Sequence, residues 1–333
     1  MTNKAFIKDV SIFLPSKILN NEEFRQFNEK WTPDKIYSKI GVKSRHIIDN
    51  NETSLSIALQ ACKKLLDKNK DIADSIDYIL YTTLNHEHFM LISSAIIQNR
   101  LNLRKQCCAI DMKLTCTGYL QALSIAKSLV VSNQASNVML VTADTYSKVI
   151  AQDDIGTRSV FGDAATATLI SNKGTAEILD FSFGTNGIGS ENHIARTHCL
   201  SEAFPDEHLS DLDNGKKFNL NNFYMVGGEI FEFVAKEIPL FYNTILSINK
   251  LQKKDISLNV FHQANSYMLS YLRKKIGIPE NRFYIDMEEV GNTSTSSIPI
   301  VLNNIFKKGL YNGNILLCSF GGGYTWGGNV IKL

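Results

Sequence analysis

Four short segments of the 333-residue chain carry groups that could take part in covalent chemistry. Cys116 supplies a thiol in "KLTCTGYLQAL", and a thiol becomes a useful nucleophile as its thiolate. His262 ends the apolar run "LNVFHQAN", and Asn292 follows a glycine in "GNTSTSSIP". The run "SFGGGYTWGG" could bring backbone N–H groups to a developing oxyanion. Together they supply a nucleophile, an imidazole, an amide and an oxyanion loop.

Each of these groups also has a purely structural interpretation. Cys116 stands where a strand gives way to a helix, and helix N-termini favour the thiolate, but a lone cysteine beside apolar residues is usually just buried. His262 lies at a strand end, where site residues of α/β folds gather, or it is a hydrogen-bonded structural histidine. Asn292 is alternatively a helix cap, and the structural interpretation of the glycines is tight turns alone.

Alternating strand-like and helix-like segments must position these groups, and this alternation predicts a layered α/β fold. In the second half, "FYIDMEEVGNTSTSSIPIVLNNIF" echoes "CAIDMKLTCTGYLQALSIAKSL" of the first half. We therefore predict a duplicated α/β unit, with halves at 1–175 and 176–333. Residues 184–222 match nothing in the first half and suit an inserted lid. Strands are predicted over 6–14 and 77–83, and helices over 53–66, 93–101, 229–248 and 267–276.

Composition excludes several classes of protein. The chain is 44% hydrophobic and 20% charged, and its formal net charge of +2 is too small to imply a nucleic-acid partner by itself. The apolar stretches near the N-terminus are short and are interrupted by Lys8, Asp9 and Pro15, so neither a secretory signal nor a membrane span is expected. The six cysteines form no CxxC pair, and we interpret them as reduced thiols of a cytoplasmic protein.

Metal and cofactor sites are not expected. The segment "HEHF" at 86–89 places two histidines around a glutamate, but without further ligands such residues are more often ordinary polar ones. No other cluster of His and Cys has a spacing typical of metal ligands.

The motifs together identify a known family. "HQAN", "GNTS" followed by "SIP", "FGDAA" and "FGGGYTWG", all after the cysteine, are a highly specific set. From "IFLPSKILNN" to the C-terminus the chain resembles the 3-oxoacyl-ACP synthase III branch of the thiolase-like condensing enzymes. This resemblance implies a thiolase-like fold, with duplicated halves in five layers (α-β-α-β-α), the site between the halves, and a homodimer.

The same resemblance implies the roles of the four segments. Cys116, His262 and Asn292 fall on the catalytic residues, and the backbone N–H groups of Cys116 and Gly322 fall on the oxyanion donors. Cys116 would take an acyl group from a thioester, and His262 and Asn292 would assist the decarboxylation of malonyl-ACP. The carbanion would then attack the acyl-Cys116 carbonyl to give a 3-oxoacyl-ACP and CO2. A neutral imidazole and an amide suit this role because they donate hydrogen bonds to an enolate without protonating its carbon.

Several positions that contact coenzyme A in the family differ here. Lys35 replaces a tryptophan that stacks on the adenine, and Lys39, Ile155 and Tyr267 replace arginines. An aromatic platform and guanidinium groups are thus missing, which favours a specialised pathway over the initiation of fatty-acid synthesis. The donor would be an acyl-CoA or an acyl-ACP. The residues that the resemblance assigns to substrate binding are Lys39, Leu91, Phe231, Asn265 and Phe320.

Two surface features follow from the resemblance. Leu91 aligns with the residue, often phenylalanine, that closes the acyl pocket, and its segment would lie near the dimer interface. Arg273, Lys274 and Lys275 form a small basic patch that suits the acidic surface of an acyl carrier protein. The alternative interpretation of this patch is a solvated helix face.

Two other functions remain open at this stage. The chain could transfer an acyl group from Cys116 to an amine or hydroxyl without decarboxylation, with His262 as the base. It could also be a catalytically silent partner of an active synthase, although the complete Cys-His-Asn set argues against this.

Overall fold

The computed structural model describes residues 3–87, 91–195, 209–211, 217–219, 222–309 and 311–333. Within these ranges the chain forms a mixed α/β fold. The strands are β1 (Phe6–Phe13), β2 (Lys17–Asn20), β3 (Ser44–Ile47), β4 (Tyr78–Thr82), β5 (Cys108–Met112), β6 (Asn137–Asp144), β7 (Ala164–Ser171), β8 (Ala176–Thr185), β9 (His193–Ile194), β10 (Leu209–Asp211), β11 (Lys217–Asn219), β12 (Tyr224–Met225), β13 (Ile256–Phe261), β14 (Phe283–Tyr284), β15 (Asn314–Gly321) and β16 (Thr325–Lys332). The α-helices are α1 (Pro33–Ile40), α2 (Ser54–Lys68), α3 (Ser93–Arg100), α4 (Gly118–Val131), α5 (Ile155–Arg158), α6 (Gly227–Ile248), α7 (Ser266–Ile276) and α8 (Ser297–Lys308).

The main sheet has ten strands in the order β14-β13-β15-β16-β8-β1-β7-β6-β4-β5. The five strands on either side of the β1–β8 contact follow the same scheme. In each group two parallel pairings are followed by two antiparallel pairings, β5-β4-β6-β7-β1 in one and β14-β13-β15-β16-β8 in the other. The two groups are joined within the sheet by a short pairing of β1 with β8, Phe6 with Glu177 and Ile7 with Ala176. The sheet is therefore two copies of one topology joined at β1 and β8.

Helices cover both faces of each group of strands. Between the groups, α4 and α8 bury an apolar layer that includes Leu120, Leu123, Val301 and Leu302. A second core packs α2 and α3 on the outer face of the first group, and a third packs α6 and α7 on the outer face of the second. Because helices cover both faces of the sheet, the inner strands β4, β6, β13 and β15 are buried along almost their whole length. The result is five layers, helix-sheet-helix-sheet-helix.

The expected elements form within one or two residues of their predicted ends. The helix predicted over 53–66 begins at Ser54, because the Thr53 side chain accepts a hydrogen bond of 3.1 Å from the Ser56 N–H. The helix predicted over 267–276 begins at Ser266 and ends at Gly277, whose φ of 74° lies in the left-handed region. The strand predicted over 6–14 ends at Phe13, two residues before a proline.

The segment predicted as a lid is described only in part. From 184 to 195 the chain completes β8, makes a short 3₁₀ turn at Gly187–Asn192 and enters β9, which pairs with β12. The backbones of β10 and β11 pair with each other. Residues 196–208, 212–216 and 220–221 lie outside the described residues. Among the helices that the structure does describe, none is long and apolar enough to cross a membrane.

Candidate active site

Cys116 lies in the turn between β5 and α4, where it is 6% exposed. The Ser319 hydroxyl donates a 2.8 Å hydrogen bond to the Cys116 carbonyl oxygen, and Sγ lies 3.7 Å from Oγ of Ser294. Burial raises the pKa of the Cys116 thiol to about 12, and the Ser294 contact offsets only part of that effect. The thiol is therefore protonated at neutral pH. Its position before a helix does not make it a thiolate, because desolvation of the anion outweighs the helix dipole.

His262 follows β13 and is 2% exposed. Its backbone N–H donates a 2.8 Å hydrogen bond to the carbonyl of Cys318, and its Nδ1 lies 2.7 Å from Oγ of Ser297. Its ring meets the Phe320 ring edge-on at 5.7 Å. Burial, with a smaller contribution from His193, lowers the pKa of His262 to about 3. The imidazole is therefore neutral, as the resemblance requires.

Asn292 joins two of the sequence motifs. Its N–H donates to the Val160 carbonyl at 2.9 Å, and its carbonyl accepts from the Gly162 N–H at 3.0 Å, which ties "GNTS" to "FGDAA". Its side-chain Oδ1 accepts a 2.9 Å hydrogen bond from the Ser294 N–H. Asn292 does not cap α8, since that helix begins at Ser297 and its N-cap residue is Ser296.

Two short segments bring Cys116 and His262 together. Residues 292–297 contact the thiol through Ser294 and the imidazole through Ser297. Residues 318–322 approach both residues from another side, since Ser319 bonds to the Cys116 carbonyl and Phe320 packs on the His262 ring. Cys116, His262 and Asn292, which are far apart in the sequence, therefore belong to one buried cluster.

Two glycines of "FGGGYTWG" let the backbone of this loop pass close to the side chains of Cys116 and His193. A Cβ on Gly321 would lie 2.9 Å from Cβ and 3.1 Å from Sγ of Cys116. A Cβ on Gly322 would lie 2.3 Å from Nδ1 of His193. The Gly322 carbonyl also accepts a 3.2 Å hydrogen bond from the Thr115 hydroxyl. Any side chain on Gly321 would displace the thiol, so only glycine fits there.

Sequence reasoning missed Asp144, which ends β6 and is fully buried. Its carboxylate accepts hydrogen bonds from the Leu84 N–H at 3.0 Å and from the Thr295 N–H and hydroxyl at 3.1 and 2.6 Å. Burial raises its pKa, and these hydrogen bonds act in the opposite direction. Asp144 thereby anchors the segment that carries Ser294. The rule that singled out His262, a polar residue at the end of an apolar strand, would have found it.

Among the predicted substrate residues, Phe320 lies beside His262, while the others lie elsewhere. Asn265 caps α7, since its Oδ1 accepts a 2.8 Å hydrogen bond from the Met268 N–H. Phe231 lies on α6 with its ring 5.1 Å from that of Tyr271, on the outer face of the second group of strands.

Lys39 contacts the ring of Trp31, which the motifs do not include. Its Nζ lies 5.3 Å from the centroid of Trp31, and Nζ of Lys35 lies 5.7 Å from the same ring. A tryptophan is thus present next to the position at which the family's tryptophan is replaced by lysine. The helical pattern of α1 does not include this ring, because Trp31 immediately precedes the N-cap residue Thr32.

Leu91 is 45% exposed and lies with Ile92 at the start of a shallow groove along α3. In the single chain it is therefore a surface residue. Nearby, Nδ1 of His86 lies 3.7 Å from a carboxylate oxygen of Asp111. His88 and Phe89 of "HEHF" lie outside the described residues. Across the described ranges, no three His, Cys, Asp or Glu side chains are grouped as a metal site.

The three residues of the predicted docking patch differ in their contacts. Arg273 donates to the Ile278 carbonyl at 3.3 Å. Lys275 donates to the Ala235 carbonyl at 2.9 Å and to the Tyr271 hydroxyl at 3.2 Å, so its ammonium ties α7 to α6. Lys274 is exposed.

With the geometry established, comparison with known proteins gives a consistent result. The model of the 3-oxoacyl-[acyl-carrier-protein (ACP)] synthase III family matches residues 110–187, and the model of the C-terminal part of that family matches residues 246–333. The first match contains the cysteine, and the second contains the histidine and the asparagine.

Similar proteins span the whole chain. The chain is 33% identical to the beta-ketoacyl-[acyl-carrier-protein] synthase III of Streptococcus agalactiae serotype III (strain NEM316), over 99% of each chain. A crystal structure of a 3-oxoacyl-(acyl-carrier-protein) synthase III is 33% identical, with a TM-score of 0.95, over 99% of this chain and 100% of the other. The 3-oxoacyl-(acyl-carrier protein) synthase of Burkholderia xenovorans LB400 is 30% identical, with a TM-score of 0.89, over 99% and 94%. The thiolase-like fold expected from the sequence is confirmed.

Proposed function

Because the chain belongs to the 3-oxoacyl-ACP synthase III family and is a condensing enzyme of that type, we propose that it joins an acyl group to malonyl-ACP with loss of CO2. The observation that carries the proposal is the shared contact of Cys116 and His262 with the segment 292–297, through Ser294 and Ser297. A nucleophile, a neutral imidazole and an amide are thereby held in one buried cluster.

In the first step, Sγ of Cys116 attacks the carbonyl of an acyl thioester. A carbon–sulfur bond to Cys116 forms, the bond to the carrier sulfur breaks, and the thiol proton of Cys116 leaves with the carrier as its thiol. The N–H groups of Cys116 and Gly322 stabilise the oxyanion. Because burial raises the pKa of Cys116 to about 12, the proton is lost during the attack and not before it.

In the second step, malonyl-ACP loses CO2 and the remaining enolate receives hydrogen bonds from His262 and Asn292. A carbon–carbon bond forms to the acyl carbonyl as the bond to Cys116 breaks, and the released thiolate takes up a proton. The products are a 3-oxoacyl-ACP and CO2. Since burial lowers the pKa of His262 to about 3, the imidazole donates a hydrogen bond as a neutral group and does not protonate the carbanion.

We propose a specialised pathway in place of housekeeping initiation. The surface around Lys39 differs in composition from the family's adenine site, because Lys39 replaces an arginine and Lys35 replaces the stacking tryptophan. Trp31, with Lys35 and Lys39 at 5.7 and 5.3 Å from its centroid, still offers an aromatic face and two cations to a carrier. Both an acyl-ACP and an acyl-CoA therefore remain candidate donors.

A homodimer is also part of the proposal. β5 is the last strand on one edge of the ten-stranded sheet, and its Ile110 is 38% exposed. Leu91 and Ile92 expose a further apolar groove beside it. An unpaired edge strand with exposed apolar side chains is a favourable surface for pairing with a second copy. Each chain would consist of two halves, 1–175 and 176–333, as the repeated strand order supports.

The test uses purified protein, malonyl-ACP and a panel of acyl-CoA and acyl-ACP donors, with Cys116→Ala as the control. We expect a 3-oxoacyl-ACP and one CO2 per product, both lost in the variant. An enzyme that acquires an acyl group on Cys116 but never consumes malonyl-ACP would contradict condensation and favour transfer to another acceptor. Unchanged product with Cys116→Ala would favour a silent partner subunit.

A further inference from the structure

An aromatic cluster lies beside the candidate active site. We call it the aromatic wall, and it consists of Tyr146, Phe161, His193 and Phe223. The rings of Tyr146 and Phe161 stack at 4.5 Å, and Phe223 meets both edge-on at 5.1 and 5.8 Å. His193 packs on Phe223 at 4.7 Å. The aromatic wall is therefore one continuous surface.

The aromatic wall reaches the catalytic cluster at both of its ends. At one end, the backbone of Phe161 pairs with that of Asn292. At the other end, the imidazole of His193 lies against Gly322, where a Cβ would come within 2.3 Å of Nδ1. Cys116 contacts the neighbours of both ends, Ser294 and Gly321. The aromatic wall is therefore adjacent to the position at which Cys116 would carry an acyl chain.

Tyr146 has a polar atom without a role in the fold. The residue is 2% exposed, and its hydroxyl has no hydrogen-bond partner among the described residues. Ser294 is near enough to lower its pKa, although the two hydroxyls do not meet the geometry of a hydrogen bond. Burial, with Cys116 and Asp144, raises that pKa well above 10, so the phenol stays protonated as a donor.

His193 gives the aromatic wall a second polar group. The residue as a whole is partly exposed, yet desolvation around its ring lowers its pKa to about 4, so the imidazole is neutral at neutral pH. The aromatic wall thus combines apolar ring faces, which suit the carbons of a chain, with a donor hydroxyl and a neutral imidazole.

We propose that the aromatic wall selects acyl groups that carry a hydroxyl or carbonyl oxygen on their first few carbons, and that Tyr146 donates a hydrogen bond to that oxygen. The inference rests on the proposed function, because it concerns the acyl group that Cys116 receives. A buried hydroxyl without a partner is costly, and a ligand oxygen removes that cost. A site built to hydrogen-bond a substrate oxygen discriminates against the analogue that lacks it.

The experiment compares donors that differ only in this oxygen: butyryl, 3-hydroxybutyryl and 3-oxobutyryl thioesters of coenzyme A. The rate at which each adds its mass to Cys116 is followed by intact-protein mass spectrometry. We expect at least one oxygenated donor to acylate wild type about tenfold faster than butyryl. Tyr146→Phe should reduce this ratio to about one, because the oxygenated donor loses its hydrogen bond.

Tyr242→Phe is the matched control. Tyr242 is also buried with an unpartnered hydroxyl, but it lies on α6 in the outer core. This variant should keep the wild-type preference.

Equal rates for all three donors with wild type would overturn the inference, and so would a preference that survives Tyr146→Phe. A water bound to the Tyr146 hydroxyl would produce the first of these results. In both cases butyryl would still acylate Cys116, so the proposed function would stand. Failure of every donor to acylate Cys116 would instead contradict the proposed function and this inference with it.

Discussion

The Ser297 hydroxyl lies 2.7 Å from Nδ1 of His262, and it also accepts a 3.4 Å hydrogen bond from the Gln263 N–H. A hydroxyl that accepts from the backbone is oriented to donate its own proton to Nδ1. This arrangement favours the tautomer with its proton on Nε2. A neutral imidazole with Nε2–H can donate to the enolate oxygen, so Ser297 acts as a positioning residue for the second step.

Ser297→Ala should therefore slow condensation about tenfold, because it removes the contact that sets the tautomer and ring orientation. Acylation of Cys116, followed separately by mass, should change by less than about threefold. Ser297→Thr, which keeps the hydroxyl, should restore most of the rate, and Ser270→Ala on α7 serves as a control. Equal losses in both half-reactions would mean that Ser297 has only a structural role.

The stability of the protein should depend on the charge state of His262. Its pKa is about 3 in the folded protein and ordinarily 6.5, so the unfolded chain binds a proton first as the pH falls. Stability from the neutral imidazole is complete above pH 6.5 and is lost progressively toward pH 3. Between pH 8 and pH 5, wild type should lose about 2 kcal/mol more of its free energy of unfolding than His262→Asn.

Urea unfolding at the two pH values measures this difference. Burial raises the pKa of Asp163 to about 6, so its contribution to stability increases as the pH falls. This contribution is common to both proteins and cancels when their pH dependences are compared. Identical pH dependence in the two proteins would show that His262 is not buried as described.

Gly321→Ala should reduce acylation of Cys116 by about a hundredfold or more, because its Cβ would lie 3.1 Å from Sγ and displace the nucleophile. Gly228→Ala on α6, where a Cβ would meet nothing within 4 Å, should leave the acylation rate unchanged. Burst-phase acylation measured by intact mass separates the two variants. An active Gly321→Ala enzyme would contradict the close approach of this loop to the thiol.

Lys274→Glu should raise the KM for malonyl-ACP severalfold with little change in kcat, because a charge reversal at an exposed position weakens encounter with an acidic carrier. The effect should shrink when ionic strength rises. Lys275→Ala should mainly lower stability, since its ammonium bonds to the Ala235 carbonyl. If Lys274→Glu leaves KM unchanged, α7 is a solvated helix face and not a docking surface.

Ile110→Asp should convert a dimer to a monomer, because a carboxylate would be buried where two β5 strands meet. Sedimentation at micromolar concentration measures the change in mass, and Ile18→Asp, at an exposed position on β2, provides the control. A wild-type monomer would contradict the proposed homodimer directly.

Local signals in the sequence predicted the layered fold, and the family resemblance predicted that the motifs converge on one site. Apolar periodicity indicated the strands and helices, and the strand-end rule singled out His262. The contacts that the sequence could not predict join residues that are far apart along the chain. The hydroxyl contact of Ser297 with His262, the anchoring of Thr295 by Asp144, and the contact of His193 with Gly322 join residues that only the folded chain brings together.

Residue types also left the state of the thiol undetermined. A helix N-terminus suggests a thiolate, whereas burial among the layers raises the pKa of Cys116 to about 12. The protonation state depends on how far the folded protein excludes water from the thiolate, and residue types alone do not determine this.

The central claim is that an acyl group on Cys116 is consumed by decarboxylative condensation. The most direct test preloads Cys116 with the best acyl donor, removes excess donor, and chases the acyl-enzyme with malonyl-ACP labelled in its free carboxyl group. We expect one labelled CO2 and one 3-oxoacyl-ACP for each acyl group that leaves Cys116. The Asn292→Ala variant should retain its acyl group. Loss of the acyl group without release of CO2 would contradict the account.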